Sequence, residues 1–209
     1  MSEMIEITVG TPEPGRSHLV EENEQFAKWW EQFGSPDMLA IYKQFGIGSF
    51  RRSTALLGLD RFIRENKFTG KRCIEIGTAK GLTAIILSRH FEEVISFDIL
   101  PDADKHRFAE FCGVKNVRFI DATDNVEKAR LIGAFDGFDA AYVDGNHSDD
   151  SESDFNLVRK CGHILFHEYW PLQPPVWSLV NNLRKAGTVT TFDNFALWIE
   201  TSGSSDQAF

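Results

Sequence analysis

Apolar positions along the chain change their period once. Between Glu22 and Asn66 they recur at helical spacing, whereas beyond Gly70 short apolar runs alternate with amphipathic stretches. Phe26, Trp29, Trp30 and Phe33 predict a first helix closed by Gly34. Ser35-Pro36 starts a second, with Met38, Leu39, Tyr42 and Phe45 on its apolar face and Gly46 at its end. Ser53 caps a third that runs to about Asn66, with Leu56, Leu59, Phe62 and Ile63 inward.

Past Gly70 the pattern predicts strands over 72–76, 94–98, 117–120, 138–143, 163–166, 188–192 and 195–200. Helices are expected between the first six of them, over 79–91, 103–112, 125–132, 150–160 and 176–186. Strands that alternate with helices form a parallel sheet covered on both faces. Asp193-Asn194 is too short for a crossover, so the last two strands should form an antiparallel hairpin. The expected architecture is α/β: a Rossmann-like, doubly wound seven-strand sheet whose last strand is antiparallel, with an N-terminal helical cap folded over the rim. The chain divides into an arm and helical cap (1–69), a sheet domain (70–200) and a flexible, small and polar tail (201–209).

Composition narrows the setting. Of 209 residues 42% are hydrophobic and 25% charged, as in a globular domain with a sizeable core. The formal net charge of −9 argues against a phosphate-tracking surface and hence against a nucleic-acid partner. Cys73, Cys112 and Cys161 show no metal-binding spacing and read as buried free thiols, which suits a cytoplasmic address. No signal-like start and no apolar run of membrane-spanning length is present, so no membrane partner is expected.

The chemistry-bearing residues fall at the carboxyl ends of the predicted strands, where open parallel sheets bind ligands. The first strand runs into Glu75-Ile76-Gly77-Thr78-Ala79-Lys80-Gly81. Gly77 allows a sharp turn, and Gly81 permits close packing or close approach of a ligand. A dinucleotide loop would place glycine where Ala79 stands. Glu75 would put a carboxylate near a pyrophosphate, and like charges repel. The sulfonium and ammonium of S-adenosylmethionine (SAM) suit that carboxylate better. Asp98 follows Gly77 by 21 residues, the place of an acceptor for a ribose diol. Asp121-Ala122-Thr123 offers an acceptor for an adenine amino group.

The fourth strand ends Val143-Asp144-Gly145-Asn146-His147 and the fifth Phe166-His167-Glu168-Tyr169. Asp144, His147, His167 and Glu168 should therefore share the rim with Gly77 and Asp98. An imidazole or carboxylate there can take a proton from a hydroxyl or amine acceptor. The same four groups could instead ligate a divalent cation. Asp149, Asp150, Glu152 and Asp154 read as a solvated helix start favoured by the macrodipole.

Together Glu75-x-Gly77-Thr78-x-x-Gly81, Asp98, Asp144-Gly145-x-His147 and Gly162 to Tyr169 resemble class I SAM-dependent methyltransferases. The likeness covers about Gly70 to Glu200 and is nearest to small-molecule methyltransferases whose fourth strand ends Asp-Gly-x-His. It implies SAM as cofactor. Glu75, Gly77, Thr78 and Gly81 would surround the methionyl part, Asp98 and Ile99 the ribose, Asp121 and Ala122 the adenine, and Asp144 the methyl end. Asp144, His147 and His167 are the expected catalytic residues. Cys161-Gly162 replaces the usual Gly-Gly, and Glu168 an Asp, which leaves a divalent metal open; a base is preferred. The acceptor should be a small molecule. Trp29 and Trp30 would serve core packing or a homodimer contact. A non-catalytic SAM-binding subunit and a nucleotide-binding oxidoreductase are the alternatives.

Overall fold

The computed structural model describes residues 59–145, 150–192 and 194–201. The expected arm, the first two helices with Trp29 and Trp30, His147, and residues 202–209 lie outside them. Seven strands form one sheet in the order β3-β2-β1-β4-β5-β7-β6: β1 Gly70–Ile76, β2 Phe91–Asp98, β3 Val117–Asp121, β4 Ala140–Val143, β5 His163–Phe166, β6 Gly187–Phe192 and β7 Phe195–Glu200. Neighbours from β3 to β5 pair in parallel, and β7 runs antiparallel to both β5 and β6. The expected hairpin and the single reversed strand are both present.

The helices are α1 (residues 59–65), α2 Leu82–Leu87, α3 Asp104–Phe111, α4 Asn125–Gly133, α5 Ser151–Val158 and α6 Pro174–Leu183. Alternation along each strand divides the side chains between two faces. Ile74, Ile76, Ile95, Phe97, Val143, Ile164 and Phe166 pack with Ile132, Phe155, Val158, Val176 and Val180 of α4, α5 and α6. On the other face Cys73, Val94, Tyr142 and Leu165 pack with Leu59, Phe62, Ile63, Ile86 and Leu87 of α1 and α2. Leu59, Phe62 and Ile63 are thus inward, as their spacing predicts.

Helix α2 is far shorter than the expected 79–91. Gly77, Ala79 and Gly81 have φ of 97°, 43° and 78°, so no right-handed helix can propagate before Leu82. At the other end, His90 N–H bonds back to the Leu87 carbonyl in a tight turn, and Phe91 already starts β2, packed edge-on against Phe68. The three cysteines are free, but only Cys73 is fully buried; Cys112 and Cys161 are half-buried, against expectation. Burial pushes the Cys161 thiol up to about 11. No helix among the described residues is long and apolar enough to cross a membrane.

The sheet reverses direction of winding between β1 and β4. A crevice outside the carboxyl ends of these two strands is where such sheets hold ligands. Gly77 and Asp144 meet there: a Cβ on Gly77 would lie 2.0 Å from the Asp144 carbonyl oxygen. Gly77 is therefore required twice over, by its positive φ and by contact with neighbouring backbone.

Candidate active site

Register builds a polar row across the sheet. Ser96, Glu75 and Tyr142 lie side by side on β2, β1 and β4. All three are buried on the α1/α2 face. The Ser96 hydroxyl and Glu75 Oε2 are hydrogen-bonded, and Thr78 Oγ1 lies 2.6 Å from Ser96 Oγ. Glu75 is 0% exposed, and its Oε1 has no hydrogen-bond partner. Burial pushes its carboxyl well above the usual range; Ser96 opposes this, while Asp144 and Asp98 add to it. Arg72, on the same strand, bonds through Nε to Glu93 at 2.8 Å and not to Glu75.

Asp98 stands at the tip of β2 and accepts from the Ala79 and Leu100 amides at 2.7 and 2.8 Å. It thus fixes the left-handed Ala79 in the place where a dinucleotide loop would have glycine. Two lone pairs beyond these bonds are left for a ligand. Ile99 beside it is half-buried. Asp121, at the end of β3, pairs with Lys105, whose side chain is fully buried over the Phe119 ring. Ala122 is buried, and its amide bonds to the Asp98 carbonyl at 2.8 Å. Thr78 is buried, whereas Gly81 faces Lys105 and Phe119, so its missing side chain serves packing.

On the β4 side, Asp144 Oδ1 lies 2.7 Å from His167 Nδ1. Tyr142 contributes its hydroxyl to Asp144 Oδ2 at a long 3.4 Å. Burial, then Asp144 and Glu75, push the Tyr142 phenol well above its ordinary value. His167 Nε2 lies 2.9 Å from the Asn194 amide nitrogen. Glu168, next along, is half-buried and held at φ 56°, an uncommon conformation for a residue with a side chain. Of the four expected rim groups, Asp144 and His167 are in contact, Glu168 adjoins them, and His147 lies outside the described residues. No group of three or more His, Cys, Asp or Glu among the described residues is placed to hold a metal ion.

The acidic run is not uniformly solvated as expected. Asp154 is 1% exposed and pairs with the buried Lys128 at 2.6 Å. It sits on the inner face of α5 with Ser151, Phe155 and Val158, a helical spacing that buries it. In the sequence Lys105 and Lys128 are not singled out, while Asp154 reads only as part of a solvated helix start and Asn194 only as a hairpin-turn residue. Helical phase is the signal for two of them: Lys105 shares a face with Phe108 and Ala109, and Asp154 with Phe155. An ionisable group at a core position needs a partner.

Strand order, strand directions and the change of winding between β1 and β4 make this a Rossmann-like fold with a reversed last strand. Solved structures of that fold superpose on the chain. An O-methyltransferase from Streptomyces achromogenes involved in tomaymycin synthesis, solved with SAM, matches with a TM-score of 0.57 at 17% identity, over 87% of this chain and 90% of that one. A Podospora anserina methyltransferase bound to S-adenosylhomocysteine (SAH) gives 0.57 at 17%, over 90% and 89%. A Klebsiella pneumoniae protein proposed as an O-methyltransferase gives 0.61 at 15%, over 88% and 99%. No protein-family model and no curated protein matches the sequence.

Proposed function

We propose that the chain is a SAM-dependent methyltransferase that transfers a methyl group to an oxygen or nitrogen of a small-molecule acceptor. The observation that carries this reading is Glu75: a wholly buried carboxyl with one unpartnered oxygen, beside Asp144 and Asp98. Acids grouped at this rim suit a cationic ligand better than a pyrophosphate, and an ammonium beside Glu75 would favour its ionised form over the protonated form that burial favours. Neighbours of the same fold hold SAM or SAH, which supports the same ligand here.

In this reading the residues fit the cofactor part by part. Glu75, Gly77, Thr78 and Gly81 would hold the methionyl end, the unpartnered Glu75 Oε1 being available to an ammonium directly or through water. Asp98 and Ile99 take the ribose, and Asp121 and Ala122 the adenine side. When bound, SAM supplies a methyl group on a positively charged sulfonium. The chain supplies alignment, which is the larger part of the acceleration for a direct displacement. Asp144 would face the methyl end, where a carboxylate favours a positively charged sulfonium. His147 is the candidate to take the acceptor's proton, because both ring nitrogens of His167 are already engaged. The test is mass spectrometry of small molecules released from the purified, unfolded protein. SAM or SAH in the extract supports the reading. A nicotinamide or flavin nucleotide in their place overturns it in favour of an oxidoreductase.

A further inference from the structure

His167 is held on every side. It follows β5 on the α1/α2 face, between the rings of Phe195 at 5.0 Å and Tyr142 at 6.5 Å, with interplanar angles of 27° and 25°. Its backbone N–H bonds to the Val143 carbonyl at 3.1 Å, which ties the end of β5 to the end of β4. Its side chain is 19% exposed and that of Asp144 20%, so water reaches them only in part. The ring cannot turn without breaking contacts with two aromatic faces.

The proton on this ring follows from its partners. An ionised carboxylate has no proton to give, so the 2.7 Å contact with Asp144 Oδ1 needs the hydrogen on Nδ1. A neutral imidazole then carries a lone pair on Nε2, and a lone pair needs a donor. Asn194 provides one, its amide nitrogen 2.9 Å away. Asn194 comes from the turn between β6 and β7, far along the chain but on the same rim. Its position does not depend on its side chain: the Asn194 carbonyl accepts from the Tyr169 amide at 2.8 Å. Its φ is not positive, so alanine fits the same backbone. The other amide atom, Oδ1, is buried without a partner. Burying an acceptor in this way is costly, and a purely structural turn residue gives no reason to accept that cost.

We propose that Asn194 is a positioning residue of the active site: it caps the Nε2 lone pair of His167, holds the imidazole in its Nδ1–H form, and so pins the Asp144 carboxylate beside the crevice between β1 and β4. His167 is then a fixed donor to Asp144 and takes no proton from an acceptor, because the nitrogen that would receive it is covered. The effect on cofactor binding rests on the function proposed above; the state of the ring does not.

The experiment is long-range proton–nitrogen NMR of the 15N-labelled full chain at pH 8, above the ordinary titration range of imidazole. The expected His167 spectrum has a pyrrole-like Nδ1 and a pyridine-like Nε2. Asn194→Asp places an acceptor-only group against Nε2, and both nitrogens should become pyrrole-like. Asn194→Ala uncovers the lone pair, shifts the Nε2 resonance, and lowers SAH affinity about five- to tenfold, the effect of losing one positioning hydrogen bond. A pyridine-like Nδ1 in the wild type overturns the proposal. So does an Asn194→Ala variant with unchanged ring shifts. If that variant does not fold, the size-matched Asn194→Asp carries the test. If the wild type binds no SAH, the methyltransferase reading fails, while the ring spectrum still decides the role of Asn194.

Discussion

The two ends of the sheet treat their polar groups differently. At the amino ends of the strands charges are paired and backbone donors met. Asp139 accepts the Lys71 and Arg72 amides at 2.7 and 2.8 Å, Arg72 bonds to Glu93, Lys160 to Asp136, and His90 to Asp60. At the carboxyl ends lie all three buried polar atoms that lack a partner among the described residues: Glu75 Oε1, Asp154 Oδ2 beside Gly145, and Asn194 Oδ1. Two of the three non-glycine residues with positive φ among the described residues are also there, Ala79 and Glu168. The third, Lys67, lies in an exposed turn ahead of β1. Trp170 and Leu172, both exposed, follow β5 on the same side. Unmet acceptors and uncommon backbone are costly wherever they occur, and they persist where a ligand or a reaction uses them. One end of this sheet meets its polar groups and the other leaves them unmet, which is the end where the proposed function puts the ligand.

The largest expected effect comes from closing the rim itself. Gly77→Ala forces a Cβ against the Asp144 carbonyl at a backbone angle alanine resists. Urea titration should show a loss of about 3 kcal/mol, with SAH binding abolished. A stable, binding-competent variant would mean that β1 and β4 do not meet as described.

Glu75→Gln should separate binding from stability. The folded protein keeps a proton on Glu75 at pH values where the unfolded chain, with an ordinary value of 4.5, has lost it. Stability therefore falls as pH rises from that value toward the raised folded one. Glutamine removes this slope, so the ligand-free variant should melt higher than wild type at pH 8. The same change should weaken SAH about 10- to 100-fold, the range for a hydrogen bond to a charged group. Melting curves from pH 5 to 8 check the first half and calorimetry the second. A variant that is both less stable and equally tight would reverse the assignment.

Asp98→Ala should follow with about a tenfold loss of SAH affinity by calorimetry, at the lower end of that range because two backbone amides already share the carboxylate. Unchanged affinity in a folded variant would remove Asp98 from the ribose site. At the opposite end Lys160→Ala breaks an exposed pair with Asp136 and should change stability by less than about 0.5 kcal/mol, with binding unaffected. A large effect there would blur the distinction between the two ends.

The architecture was legible because alternating periods are a strong signal. β5 at His163–Phe166 and β7 at Phe195–Glu200 coincide with the pattern, as does the hairpin joining β6 to β7. The helix after β1 was not legible, since the apolar run from Ala79 to Phe91 has helical phase while the left-handed angles at 77, 79 and 81 leave no trace in hydropathy. Strand ends gave Glu75, Asp98, Asp121 and Asp144 as rim groups. What they accept from was hidden, because each partner comes from another element. Lys105 meets Asp121 from α3, and Asn194 meets His167 from the last turn. Such contacts depend on tertiary packing, which spacing along one strand does not encode.

The central claim is that the carboxyl-end rim takes an adenosyl ligand with an ammonium-bearing tail, SAM or SAH, and not a dinucleotide. Thermal melting of the full chain with SAH, with SAM and with NADH tests it directly. At a hundredfold excess over the dissociation constant, SAH or SAM should stabilise the fold by about 2.7 kcal/mol. For a chain of this size that is a rise of roughly 5–10 °C in Tm, with no shift from NADH. A shift with NADH alone, or none with either adenosyl ligand at millimolar concentration, would contradict the account.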